Sequence, residues 1–124
     1  SADIRSAIAG NPSTPATALA ELARNGHHDR VAGNRAATAE ILTWIAKHTS
    51  SRQALEGVAS HPNTPSRVLA KIAEEEDDDE YVCEDVAGNP NTPAETLHRL
   101  REHWNAGVRA AAFETLSSAA RRRR

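Results

Sequence analysis

Ile8-Ala9-Gly10-Asn11-Pro12-Ser13-Thr14-Pro15 returns as Val86-Ala87-Gly88-Asn89-Pro90-Asn91-Thr92-Pro93, with Val58-Ala59-Ser60-His61-Pro62-Asn63-Thr64-Pro65 between them. A fourth copy, Val31-Ala32-Gly33-Asn34-Arg35-Ala36-Ala37-Thr38, keeps the apolar entry and the Asn but loses both prolines. The anchors Ile8, Val31, Val58 and Val86 stand 23, 27 and 28 residues apart. A period in this range marks a repeat architecture, whose units bury their apolar faces only by stacking on their neighbours.

Downstream of each anchor comes an apolar pair three residues apart: Leu19 and Leu22, Leu42 and Ile45, Leu69 and Ile72, Leu97 and Leu100. With Ala23, Ala46 and Ala73 alongside, each pair draws one buried helical stripe. The Thr-Pro step predicts where that helix begins. Thr14, Thr64 and Thr92 suit an N-cap, and Pro15, Pro65 and Pro93 suit the first helical position, which needs no amide hydrogen. Thr92 and Glu95 have the spacing of a capping box. Upstream, the residue before Pro12, Pro62 or Pro90 is steered away from α conformation, so the chain turns there. Ile4 with Ile8, Val82 with Val86 and Val108 with Ala112 mark a shorter apolar helix ahead of each turn. Each unit thus reads as short helix, turn, and longer helix of about ten residues.

The pattern Ala-Gly-Asn-Pro-x-Thr-Pro-x-x-x-Leu-x-x-Leu resembles the leucine-rich repeat variant family, over nearly all of residues 4 to 116. The resemblance implies an all-α, right-handed superhelical solenoid of about four repeats, alternating short (3₁₀ or α) and longer α-helices, and an interaction role. One arrangement associated with such repeats adds a cysteine-ligated iron–sulfur module, which a chain whose only cysteine is Cys83 cannot carry. Armadillo or HEAT-like repeats call for longer units and fit the spacing less well.

The 124 residues are expected to form a single helical-repeat domain over residues 1–120, followed by a basic tail, 121–124. Aromatics are only 3% of the chain, so Ala, Leu, Val and Ile must fill its interior. No apolar run reaches the length of a membrane span, and no basic-then-apolar leader opens the chain, which reads as a soluble, cytoplasmic protein with no membrane partner. The lone Cys83 excludes an internal disulfide and an all-cysteine metal site, and is expected to be a small buried hydrophobe. No GxSxG elbow, phosphate-cradling glycine loop or HExxH occurs, so the expectation is a non-enzymatic scaffold without cofactor.

Residues that break their column point to function. Trp44 stands where other copies have Glu21, Lys71 and Arg99, a solvent-facing column, so it is either a partner anchor or a ring folded over its neighbouring unit. Trp104 falls in a linker and is expected to pack on the chain end. The run Glu74-Glu75-Glu76-Asp77-Asp78-Asp79-Glu80 reads as an inserted, mobile, solvated loop; without it the net charge of −2 would be +5. It could dock a basic partner; as a calcium site it lacks the alternation and turn glycine of an EF-hand. His27-His28-Asp29, His98 with His103, and His61 are poorly spaced for metal. The partner-binding candidates are Trp44, Glu21, Lys71, Arg99, Glu76, Asp77, Asp78 and Asp79, with a protein as the expected partner. Three further readings stay open. One is a nucleic-acid-binding solenoid using Arg30, Arg35, Arg52, Arg109 and Arg121 to Arg124. Another is self-association of the acidic run with the tail of a second copy. The third is a segment of a longer structural array.

Overall fold

The computed structural model describes residues 2–122, with side chains from residue 4 onward. Ser1, Arg123 and Arg124 lie outside the described residues, and with them half of the arginine tail. Among the described residues there are nine α-helices and no strand: α1 (Ala2–Gly10), α2 (Ala16–Arg24), α3 (His28–Ala32), α4 (Ala39–His48), α5 (Arg52–Ser60), α6 (Ser66–Glu75), α7 (Glu80–Gly88), α8 (Ala94–Leu100) and α9 (Ala106–Arg122). The helices ahead of each turn are α-helical, where the resemblance implied 3₁₀ as an alternative; α1 and α7 are at least as long as the helices that follow them, α3 and α5 are shorter.

The helices form two compact units, residues 1–64 and 65–124. In the first, α3 packs on α1, α2, α4 and α5, and α4 packs on α2 and α5. Its core contains Leu19, Val31, Leu42, Ile45 and Val58, all with no exposed surface. In the second, α7 and α8 pack on α9, and Leu69, Val82, Cys83, Val86 and Val108 are likewise fully buried. The i, i+3 pairs read from the sequence therefore face inward. Each such Leu, Ile or Val taken out of water contributes roughly 1.5–3 kcal/mol. One close approach limits side-chain size in the first unit. A Cβ added at Gly57 of α5 would lie 2.9 Å from the Ala32 Cβ of α3.

The turns between helices share one hydrogen-bond scheme. The amides of Asn11, Asn34, His61 and Asn89 donate to the carbonyl three residues back, and their own carbonyls accept from Thr14, Ala37, Thr64 and Thr92. Each of these residues also accepts on its side chain from the amide two residues on: Ser13, Ala36, Asn63 and Asn91 respectively. The copy at Val31 forms the same turn without prolines, so the Asn, not the proline, is what closes it.

The expected threonine caps are not formed. Thr14, Thr64 and Thr92 instead donate their hydroxyls backward to the carbonyls of Ile8, Val58 and Val86, at 2.5, 2.6 and 2.6 Å. The last carbonyls of a helix have no intrahelical donor, and a buried one must find a partner elsewhere. A hydroxyl six residues on supplies it. The N-cap position falls one residue later, on Pro15, Pro65 and Pro93, none with a side-chain cap bond, so the capping box at Thr92 and Glu95 is also absent. Only the proline-free copy has a threonine cap: Thr38 Oγ1 accepts from the Ile41 amide at 3.3 Å.

Two helix ends depart from the simple unit. Helix α2 stops at Asn25-Gly26, where Gly26 takes φ 96°, a left-handed conformation that costs glycine nothing. His27 and Gly26 then donate to the carbonyls of Leu22 and Ala23, closing the helix end. Helix α9 runs for 17 residues because no Asn-Pro step interrupts it. Val108 and Ala112 were expected to mark one or two turns only. Thr115 occupies the Asn position of a fifth copy and donates to the Ala87 carbonyl at 2.6 Å.

Candidate functional site

Trp44 sits on α4 because the stripe of Ile41, Leu42 and Ile45 turns the opposite face of that helix outward. Its ring is half-buried. His48, one turn on, stacks on it at 4.2 Å between centroids and 19° between planes, and His28 meets it edge-on at 5.6 Å. His48 Nδ1 also lies 2.8 Å from the Trp44 carbonyl. The indole lines a groove between α2 and α4 of about 220 Å³, with Ala20, Ala23 and Ile41 as its apolar lining and Arg24 and Glu40 as its charged members. Part of the Trp44 ring packs locally, and part borders an open groove.

Glu21, Lys71 and Arg99 are exposed, as their column predicts. Lys71 lies 3.8 Å from Glu75 and Arg99 3.7 Å from Glu74. Both pairs are solvated, so each adds little stability.

The acidic run is not an inserted loop. Glu74 and Glu75 end α6, Glu76 to Asp79 make a tight turn, and Glu80 begins α7. Asp79 caps α7, its Oδ1 accepting from the amides of Tyr81 and Val82 at 3.0 and 3.2 Å. Its negative charge and that of Glu80 lie at the positive end of the helix dipole, which favours both. The turn's carbonyls are also in use. The Asp77 carbonyl accepts from His103 Nε2 at 2.8 Å and from Trp104 Nε1 at 3.3 Å. Trp104 thus reaches the acidic turn, not the chain end, and stays 57% exposed. It borders a larger groove of about 630 Å³ with Ala73, Glu74, Asp77, Arg99, Leu100, Glu102 and His103.

Cys83 is wholly buried under this turn and donates its thiol to the Glu76 carbonyl at 3.1 Å. Burial, with the nearby carboxylates of Asp77, Asp79 and Glu76, pushes the thiol pKa up to about 11. A thiol held neutral is neither a nucleophile nor a metal ligand.

Among the described residues no group of three or more His, Cys, Asp or Glu is placed to hold a metal ion, and no helix is long and apolar enough to cross a membrane. Asp29 of the His27-His28-Asp29 cluster accepts from the Ser51 hydroxyl at 2.6 Å, a bond between neighbouring copies. Arg109 donates to the carbonyls of His103 and Trp104, which fixes the start of α9. Arg121 and Arg122 belong to α9, and Arg121 contacts Glu114 and Ser118 of the same helix. Sequence reasoning missed the two histidines flanking Trp44. The i, i+4 spacing of Trp44 and His48 was the available signal.

No curated protein and no solved structure matches the chain. The family whose model matches is the Leucine Rich Repeat Variant domain, over residues 3–56, α1 through the middle of α5. Residues 3–56 are thus similar to the Leucine Rich Repeat Variant domain, a helical repeat, and the regular structure among the described residues is helical throughout.

Proposed function

We propose that the chain is a non-enzymatic repeat scaffold, a right-handed solenoid of about four units, that binds a segment of another protein in the groove between α2 and α4. One observation carries this reading: an aromatic ring occupies a column that is otherwise charged and exposed, and that ring borders an apolar groove. Trp at such a position supplies large contact area at low entropic cost. Arg24 and Glu40 give the groove one charge of each sign, suited to orienting a peptide.

The carboxylate-lined groove beside Trp104 supports a second contact, with a basic segment. Arg109 is engaged in holding α9 and adds nothing to a nucleic-acid reading.

Photo-crosslinking from position 20, on the groove wall and with Trp44 kept, followed by affinity capture, tests the main reading. The intact chain is expected to retain a discrete protein that Trp44→Ala loses while its circular dichroism stays unchanged. Equal capture by the two chains overturns the α2–α4 groove as the site. Loss of capture only on changing Glu76, Asp77, Asp78 and Asp79 to their amides moves the contact to the acidic turn.

A further inference from the structure

The stacking scheme has a direction. Within the first unit each copy donates backward to carbonyls of the copy before it. Asn34 Nδ2 reaches Ala9 O and Asn11 O, both at 2.8 Å; His61 Nε2 reaches Asn34 O at 2.8 Å; Asn63 Nδ2 reaches Ala37 O at 3.0 Å. The apolar residues beside these donors, Val31 and Val58, have no exposed surface.

The copy at Ile8 has the same parts, and no other copy among the described residues lies ahead of it. Asn11 Oδ1 closes its own turn, yet Asn11 Nδ2 meets no acceptor among the described residues. Ile8, in the column of Val31, Val58 and Val86, is 42% exposed, and Ile4, in the column of Ala54 and Val82, is 61% exposed. Ile8 on α1 and Asn11 in the turn after it stand as Val31 and Asn34 do in the copy that packs on α1.

We infer that this face of α1 is an inter-repeat interface and takes one more helix–turn–helix unit of the same type, stacked ahead of it. The occupant offers an apolar stripe to Ile4 and Ile8, and carbonyls freed by a helix-ending turn to Asn11 Nδ2. The last copy in the second unit cannot serve, so a second copy of this chain is not that occupant. There α9 runs on through the turn position, its own helix uses the carbonyls, and Phe113 replaces the buried alanine of the other copies with a ring 55% exposed. The inference is independent of the Trp44 reading.

The test joins residues 80–104 to Ser1 of the full chain, so that Ser1 takes the place of Asn105 and Ile4 that of Val108. The extended chain is expected to unfold in one cooperative transition at a higher Tm than the parent. Asn11→Ala costs both chains the bond that closes its own turn, and is expected to lower the Tm of the extended chain by roughly 2–4 °C more than that of the parent, the effect of losing one further hydrogen bond in a chain of this size. Two separate transitions, or an Asn11→Ala that lowers Tm equally in both chains, overturns the inference. Sedimentation of the parent supplies a second check. A concentration-dependent dimer abolished by Ile8→Asp would show that a second copy covers this face, and would overturn the assignment.

Discussion

The Asn34 side-chain amide joins its copy to the one before it, donating at 2.8 Å to the carbonyl of Ala9, 25 residues upstream. The same amide reaches the Asn11 carbonyl, while its oxygen accepts from the Ala36 amide. One buried side chain therefore closes its own turn and fastens that turn to another.

Asn34→Ala removes three bonds and takes the side-chain donor from the carbonyl of buried Ala9, while the Asn11 carbonyl keeps the Thr14 amide. The expected loss of stability is about 2–3 kcal/mol. Urea unfolding of the two chains measures it. A loss within error of zero would mean that water replaces all three bonds.

His61 does the work of an Asn with a different side chain. Its Nδ1 accepts from the Asn63 amide at 3.0 Å and its Nε2 donates to the Asn34 carbonyl. His61→Asn offers an acceptor and a donor in the same order, and is expected to cost less than about 1 kcal/mol. His61→Leu offers neither and is expected to cost about 2 kcal/mol. Equal effects of the two changes would refute the equivalence.

Gly57→Ala separates propensity from packing. In an exposed helix the change stabilises by up to about 1 kcal/mol. Here the new methyl group would sit 2.9 Å from the Ala32 Cβ, with Ala32 backbone close behind. The clash is expected to win, for a net loss of roughly 1–2 kcal/mol. Adding Ala32→Gly is expected to recover part of it, and thermal unfolding of the four chains in a double-mutant cycle reads the coupling.

Cys83 predicts a pH dependence. Its thiol ionises near 9.0 when exposed and at about 11 in the folded chain. The folded form therefore holds the proton more tightly, and this stabilisation is complete below pH 9. It is lost as pH rises from 9 through 11, because the unfolded chain ionises first. Urea midpoints are expected to fall over that window and to lose this slope in Cys83→Ala. Thiol reagents at pH 7.5 are expected to label the chain only as it unfolds; fast labelling of the folded chain would show the thiol to be accessible.

The apolar columns were legible in the sequence because burial imposes a helical period on Leu19, Leu42, Leu69 and Leu97. The exposure of Glu21, Lys71 and Arg99 followed from the same columns. The direction of the threonine hydroxyls was not legible. A hydroxyl can donate or accept, and which it does depends on where the preceding helix leaves its carbonyls. The acidic run misled because seven adjacent charges outweigh the single cap at Asp79 in any reading by composition. The grooves beside Trp44 and Trp104 form only where neighbouring copies meet. The length of α9 was readable: Ala112-Phe113-Glu114-Thr115-Leu116 lacks the Asn-Pro step that stops α1 and α7.

The side-chain bonds between neighbouring copies span 22 to 28 residues, from Ser51 with Asp29 to Thr115 with Ala87. Within each unit, then, these rungs form by closing a loop about one copy long, at an entropic penalty that does not grow as copies are added. Low contact order of this kind speeds folding and lets structure spread outward from whichever pair of neighbours meets first. A lesion such as Asn34→Ala should then act as a local break in that spread, slowing the completion of its own unit.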